Sequence, residues 1–252
     1  MMKIIGFTQL RNELSNGNLE YWFHSMSQCD LIYIYDQASD DGSQDVYKQH
    51  DNVVLYQSKT NRFFEQQWCW EEMTKDIQKA HGPDDWVFWL DGDTIIPRWF
   101  DAHKTIAKAL EHGSDSVGLG HKNLWRSHTW YRVDSKFDWL DGKRVALWQN
   151  TDKLHYKPKK GPHAGVTPLG IRRTMKRKDI PLIHLGFATD EAIITKYRNY
   201  EQGGFPSPRI VDETGLTVER LDPITYPDWF GEIDEVNPKN KPPLKEIMEN
   251  EH

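Results

Sequence analysis

The chain has 252 residues, 37% hydrophobic and 28% charged, enough for one generous domain with a sizeable core. A formal net charge of −6 excludes a general nucleic-acid binder, whose surface carries a basic excess. The two cysteines, Cys29 and Cys69, form no C-x-x-C pair and no disulfide framework, which fits a reducing cytoplasm. The first nine residues read as a strand, without the long apolar stretch of a signal peptide. No apolar run approaches the roughly 20 residues that span a bilayer, so a membrane contact, if any, is peripheral. Eleven tryptophans are many for this length. Most such rings fill cores, but they also make flat platforms for sugars and bases.

Four short apolar runs open the chain: Ile4–Phe7, Leu31–Tyr35, Val53–Tyr56 and Trp86–Leu90. Each is rich in β-branched or aromatic residues and nearly continuous, as expected of strands covered on both faces. Segments with helical spacing lie between them. Leu19, Trp22, Phe23 and Met26 mark one, and Trp70, Met73, Ile77 and Ala80 another. This alternation predicts right-handed βαβ units and a parallel sheet. A further helix is expected from Trp99 to Glu111. Strands follow at Ser116–Leu119, Leu124–Val133 and Val145–Trp148, then a basic, Gly/Pro-rich stretch from Lys153 to Lys178. Ile180–Leu185 reads as a last strand, and Thr189 or Asp190 caps a helix whose Ile193, Ile194, Tyr197 and Tyr200 share a face. The organisation expected is one domain over 1–202, with a nucleotide-binding half (1–100) and an acceptor half (101–202). Residues 203–252 read as a loosely packed tail.

The stretch Trp86-Val-Phe-Trp-Leu-Asp91-Gly-Asp93 ends an apolar strand in two carboxylates one glycine apart. Residues i and i+2 of a strand point the same way, roughly 6.6 Å apart, and a bend at Gly92 could turn both acids toward one cation. Hard oxygen ligands suit Mg²⁺ or Mn²⁺, which bind one or two carboxylates together with substrate phosphates. Alone the pattern is weak, since Asp is common where a strand meets a turn. Its place at the carboxyl end of the fourth strand strengthens it, because ligands of open α/β sheets gather there. Two more polar loops follow strands at that edge: Arg11-Asn12-Glu13, and Asp36-Gln-Ala-Ser39-Asp40-Asp41-Gly42-Ser43, in which Ser43 could cap a helix.

These three motifs, in this order and spacing, resemble the family 2 glycosyltransferases of the GT-A, or nucleotide-diphospho-sugar transferase, fold. The resemblance covers residues 1–100 well and 115–200 loosely. It implies an α/β, Rossmann-like, mostly parallel sheet with helices on both faces and a smaller mixed or antiparallel acceptor half. It implies transfer of a sugar from a UDP- or GDP-sugar to a glycan or glycoconjugate hydroxyl, with a divalent metal. Asp36 would contact the base, Asp91 the ribose or metal, and Asp93 the metal, with Asn12, Glu13 and Asp41 beside the donor. Gln37, and the segment Asn61-Arg62-Phe63-Phe64-Glu65-Gln66-Gln67, depart from the family pattern. Arg62, Glu65 and Gln66 are the donor-side candidates there.

GT-A enzymes often supply a late histidine to the metal, which makes His184 the expected third ligand and His163 the fallback. A hydrogen-bonded core histidine is the competing reading of His184. Imidazole would favour Mn²⁺ over Mg²⁺ modestly. For a general base, inverting members use an acid at a helix start, here Asp190 of Asp190-Glu191, with Asp134 as the other candidate. Acids in a first helical turn are also ordinary helix stabilisers. Trp125, Arg126, Trp130 and Tyr131 could line an acceptor pocket. Lys157, Lys159 and Lys160 could close over a diphosphate, and Arg172, Arg173, Lys176, Arg177 and Lys178 could hold an anionic acceptor. Solvated charge runs read the same way. The rivals are a nucleotidyltransferase of the same fold, which usually carries a Gly-rich loop after its first strand, and a noncatalytic carbohydrate-binding protein.

Overall fold

The computed structural model describes residues 2–135, 144–159, 165–204, 206–222 and 236–249. The first half alternates strand and helix: β1 (Ile4–Leu10), α1 (Leu19–Ser25), β2 (Leu31–Asp36), α2 (Ser43–Tyr47), β3 (Val53–Gln57), α3 (Gln66–Ala80) and β4 (Trp86–Trp89). Then come β5 (Thr94–Ile95), α4 (Ala102–Glu111), β6 (Ser116–Asn123), β7 (Trp130–Arg132), β8 (Arg144–Gln149), β9 (Thr174–His184), α5 (Asp190–Gln202), β10 (Val218–Arg220) and α6 (Leu244–Glu249).

One eight-stranded sheet runs in the order β3-β2-β1-β4-β8-β6-β9-β5, and β7 pairs with β10 in a small second sheet. The first four strands are mutually parallel. β8 then lies antiparallel to both β4 and β6, β6 runs parallel to β9, and β5 closes the edge antiparallel to β9. This is an α/β, Rossmann-like sheet of the GT-A type, as the sequence pattern led us to expect. β1 and β4 are buried along nearly their whole length, which is why they read as continuous apolar runs. Trp22, Trp86, Trp89, Trp125 and Trp148 are all less than 2% exposed, so at least five of the eleven tryptophans are core. Phe7 meets the Trp148 ring edge to face at 5.9 Å, tying β1 to β8 across β4.

Several boundaries differ from expectation, each for a local reason. α4 begins at Ala102, three residues late, because Asp101 caps it by accepting from the Lys104 N–H at 2.8 Å. The strand expected at Leu124–Val133 divides: β6 ends at Asn123, and only Trp130–Arg132 remains extended, against β10. β9 starts at Thr174, inside the basic stretch, because Thr174–Arg177 pair with Ser116–Leu119. Ser43 does not cap α2; its hydroxyl accepts from the Leu14 N–H and ties α2 to the loop after β1. Thr189 caps α5, accepting from the Ala192 N–H at 3.1 Å.

Within 203–252, Ile210, Val211, Leu221 and Leu244 are buried against the acceptor half. Arg126 anchors this segment. It is 1% exposed, with a left-handed backbone (φ 52°), and donates to both oxygens of Asp190 at 2.6 and 3.0 Å. It also donates to Glu213, which in turn accepts from the Trp125 indole and the Leu244 N–H. Without the Glu213 carboxylate, Arg126 would keep Asp190 alone, and the Trp125 indole and the Leu244 N–H would lose their acceptor. Glu213→Ala is therefore expected to cost about 3 kcal/mol of stability in urea unfolding; a loss below about 1 kcal/mol, the range of a surface pair, would contradict this anchoring.

Candidate functional site

β1 pairs with β2 on one side and β4 on the other, so the connections from their carboxyl ends part and leave a crevice between them. The cleft there has a volume of about 1370 Å³. The loops after β1 and β2 are locked together at its rim. Asn12 (φ 57°) donates to Asp40 and accepts from the Asp40 N–H, while its own N–H donates to Ser39. Asp41 accepts from the N–H groups of Ser15 and Ser43, and these contacts hold its carboxyl below the usual range against the upward push of burial. Asp36 is fully buried and accepts from the Ser39 N–H and the Gln44 amide through Oδ1, while Oδ2 has no partner.

The loop after β4 supplies Asp91 and Asp93. β5 follows Asp93 directly and pairs with the end of β9, which sets Thr94 beside His184. His184 Nε2 thus lies 3.0 Å from Asp93 Oδ2, across 91 residues of sequence. Lys196, from α5, donates to the same Asp93 oxygen at 3.0 Å, and its Nζ is 3.3 Å from His184 Nε2. Gly186 makes this convergence feasible. A Cβ there would come within 2.3 Å of Lys196 Nζ, 2.4 Å of Asp93 Oδ2 and 2.8 Å of His184 Nε2. Asp91 is held by Arg144, whose Nη2 donates to Oδ2 at 2.8 Å while the guanidinium lies over the Trp89 ring. The floor of the cleft therefore carries two carboxylates and two cations.

Burial pushes the Asp91 carboxyl up to about 6; Arg144 opposes this and the Asp93 charge adds to it. Against the same effect of burial, His184 and Lys196 hold Asp93 well below the usual range. Burial lowers the His184 imidazole. A neutral ring can donate from Nε2 to Asp93 or accept there from Lys196, but not both. Its Nδ1 is buried without a partner, as are Thr94 Oγ1 and both amide atoms of Asn123. Thr94 and Asn123 are the register partners of His184 on the two adjacent strands, so these polar side chains share one face. Glu13 packs against Gly92, where a Cβ would lie 2.6 Å from Glu13 Oε1. Burial and the Asp93 charge push Glu13 up to about 7, against hydrogen bonds from Asn18 and Asn16.

Among the described residues no three His, Cys, Asp or Glu side chains gather as a ready metal cage. Asp93 and His184 nevertheless set a carboxylate oxygen and an imidazole nitrogen side by side, donor types that suit a divalent ion. Asp93 Oδ2 and His184 Nε2 stand 3.0 Å apart beside a glycine, with Asp91 nearby, but Lys196 touches both atoms. An ion could join them only if that ammonium moved.

Of the donor-side residues read from sequence, Asn12, Glu13, Gln66 and Asp91 line the cleft, as do Asp93 and His184. Asp36 and Asp41 build the loops behind it. Arg62 turns instead to Glu65 and the Tyr35 hydroxyl. The acceptor platform read from Trp125, Arg126, Trp130 and Tyr131 does not line the cleft: Trp125, Arg126 and Tyr131 are buried, and the Tyr131 hydroxyl donates to Glu219. Neither expected base lines it, since Asp190 is held by Arg126 and Asp134 by Arg132. Lys157 and Lys159 are not among the lining residues, and Lys160 and His163 lie outside the described residues. Arg172 pairs with Asp115 and Arg177 with Asp179, away from the cleft. Glu191, the second acid of the Asp190-Glu191 pair, does line the cleft, and Arg144, Gly186 and Lys196 face it without having been singled out from sequence. The signal for Lys196 lies in Ala192, Lys196 and Asn199, at steps of four and three along one face of α5.

No protein-family model matches the chain, and no curated protein matches it. Among solved structures it is similar to 4-diphosphocytidyl-2C-methyl-D-erythritol synthase from Anaerococcus prevotii, with 13% identity over 59% of this chain and 70% of that one and a TM-score of 0.28. Likeness at that level carries no functional argument.

Two outcomes are expected of the site. Gly186→Ala overpacks it and is expected to cost about 1–3 kcal/mol in urea unfolding. Gly82→Ala, whose Cβ meets nothing, is the control, and equal effects would refute the crowding. The pKa of Glu13 is raised on folding, so its stabilising contribution is complete below its ordinary 4.5 and is lost as pH rises through about 7. The melting temperature of the wild type minus that of Glu13→Gln should therefore fall between pH 5 and pH 8; a constant difference would contradict the shift.

Proposed function

We propose that this protein is a glycosyltransferase that moves a sugar from a UDP- or GDP-sugar to a hydroxyl of a glycan or glycoconjugate. The observation that supports it most is the alternation of Asp91, Arg144, Asp93 and Lys196 on the floor of a cleft at the carboxyl ends of β1, β2 and β4. In such a transfer the acceptor oxygen attacks the anomeric carbon, and the bond to the diphosphate breaks. The departing oxygens gain negative charge, so the site must offer positive charge where the diphosphate leaves. Mn²⁺ or Mg²⁺ held by Asp91, Asp93 and His184 would supply Lewis acidity to that diphosphate.

Arg144 and Lys196 are the chain's own cations at that place. Phe63, Phe64, Trp70 and Tyr200 give the cleft apolar walls suited to a base or sugar face. Among the carboxylates lining the cleft, Glu13, shifted to about 7, is the one suited to take a proton near neutrality. Asp190 and Asp134 are already spent on arginines.

Nucleotidyl transfer is the second reading. It needs the same carboxylates and cation but attacks the α-phosphate. The loop after β1 here, Arg11-Asn-Glu-Leu-Ser-Asn-Gly17-Asn18, holds a single glycine and is not Gly-rich, which favours sugar transfer.

The test is thermal-shift binding of UDP, GDP, CDP and their sugars, with and without Mn²⁺, for wild type and Asp93→Ala, followed by product analysis. The expected result is a rise in melting temperature that needs one nucleotide and metal together, vanishes in Asp93→Ala, and accompanies release of a nucleoside diphosphate. Release of pyrophosphate from a nucleoside triphosphate would replace sugar transfer by nucleotidyl transfer. Stabilisation by no nucleotide would sink both.

A further inference from the structure

We infer that Lys196 and Arg144 are exchangeable counter-ions: they neutralise Asp91 and Asp93, and pass to the diphosphate when a divalent ion takes those carboxylates. The inference deepens the proposed function, and only its nucleotide half rests on that reading.

The geometry points to the exchange at three places. Lys196 Nζ is 3.0 Å from Asp93 Oδ2 and 3.3 Å from His184 Nε2, while those two atoms are themselves 3.0 Å apart. The ammonium therefore touches both donors that would bind an ion on that side. It also lies 4.6 Å from the centre of the Phe187 ring, which gives it an attractive but yielding rest. Gly186 holds the space open, since any side chain there would strike all three atoms. On the other side Arg144 Nη2 occupies Asp91 Oδ2, with the guanidinium over Trp89. Both cations remain partly exposed toward the cleft, and both side chains can swing without moving backbone.

Charge counting then links the two ligands. Asp91 and Asp93 against Arg144 and Lys196 sum to zero. A divalent ion alone would leave two positive charges in excess, and a diphosphate with two negative charges alone would leave two negative ones. Both together restore zero. Uncompensated charge in a partly buried site is costly, so metal and nucleotide must bind cooperatively. By linkage each raises the affinity of the other by the same factor, which for coupled sites is roughly 5- to 150-fold.

His184 supports the same direction. With Lys196 at Nε2 the ring cannot satisfy both neighbours, and Nδ1 is buried without a partner. Once Nε2 becomes a ligand, the proton must sit on Nδ1. Asn123, the register partner of His184 on β6, has an unpartnered buried carbonyl oxygen on the same face.

The test is Mn²⁺ binding to the full-length protein without nucleotide, followed by electron paramagnetic resonance, for wild type, Lys196→Met and Arg144→Met. Lys196→Met removes the competing ammonium, and we expect Mn²⁺ to bind at least 10-fold more tightly than to wild type. Lys196→Arg, which keeps the charge, should not gain this affinity. Circular dichroism confirms that each variant is folded, and Arg144→Met gives an independent measurement if Lys196→Met is not. Unchanged or weaker Mn²⁺ binding in whichever of the two folds would overturn the exchange. The second arm adds a UDP-, GDP- or CDP-sugar, whose diphosphate carries the two negative charges counted above. A nucleotide that tightens Mn²⁺ on wild type by roughly 10-fold, and does so less on Lys196→Met, supports the exchange in full. If a nucleotide binds with Mn²⁺ but equally well to both proteins, the exchange fails while the transferase reading stands. If no nucleotide binds, the transferase reading fails, and the metal arm alone decides whether Lys196 competes for the site.

Discussion

A short piece of backbone pairing organises this molecule. Thr94 and Ile95 form a two-residue strand against Ile183 and His184, and this carries the chain from the end of β4 past β8 and β6 to the far edge of the sheet. The pairing is reinforced by a backbone bond from the Leu185 N–H to the Asp93 carbonyl at 2.7 Å. Asp93 stands one residue before Thr94, the register partner of His184, and its carbonyl is bonded to the Leu185 N–H, so these few bonds bring Asp93 next to His184. α5 follows six residues after His184 with its own cap at Thr189, and so Lys196 arrives at the same place. The chemistry of the cleft is thus a consequence of where one edge strand is pinned.

The pinning gathers charge that water would normally dilute. Two carboxylates this close repel, and burial alone would drive one of them to hold its proton. The site answers the two acids differently. Asp93, between His184 and Lys196, stays ionised, while Asp91, more weakly compensated, is displaced toward neutrality, and Glu13 behind Gly92 further still. A gradient of proton affinity therefore crosses the floor of the cleft within a few residues. Such gradients accompany sites where one group must remain charged while another exchanges a proton.

What the sequence disclosed followed the range of the interactions. Strand identity, helix periodicity and the placement of Asp91 and Asp93 at a strand end are local properties, and each was legible from composition and spacing. The three polar loops were legible as one edge because parallel strands put all their carboxyl ends on one side. Contacts at long range were not. Trp125, Arg126 and Tyr131 look the same in sequence whether they form a sugar platform or a core, and here packing against 208–221 decided for the core. Asp190 read as a first-turn acid, which it is, but its partner Arg126 lies 64 residues away. Lys196 belonged to an amphipathic helix whose polar face looks solvated until β5 folds Asp93 toward it. Arg144 opens β8 beside a stretch of acids and glycine that gives no periodic signal.

The Arg126 anchor has a mechanical meaning for the cleft. Asp190 is the first residue of α5, and its carboxylate is gripped by an arginine that Glu213 holds from the other side, with α6 hung on Glu213 through Leu244. The segment after residue 203 therefore acts as a guy-rope on the helix that carries Lys196. Among the described residues, trimming the chain at that point would remove none that is bonded to Asp93, yet it would slacken the helix that sets how far the ammonium can travel.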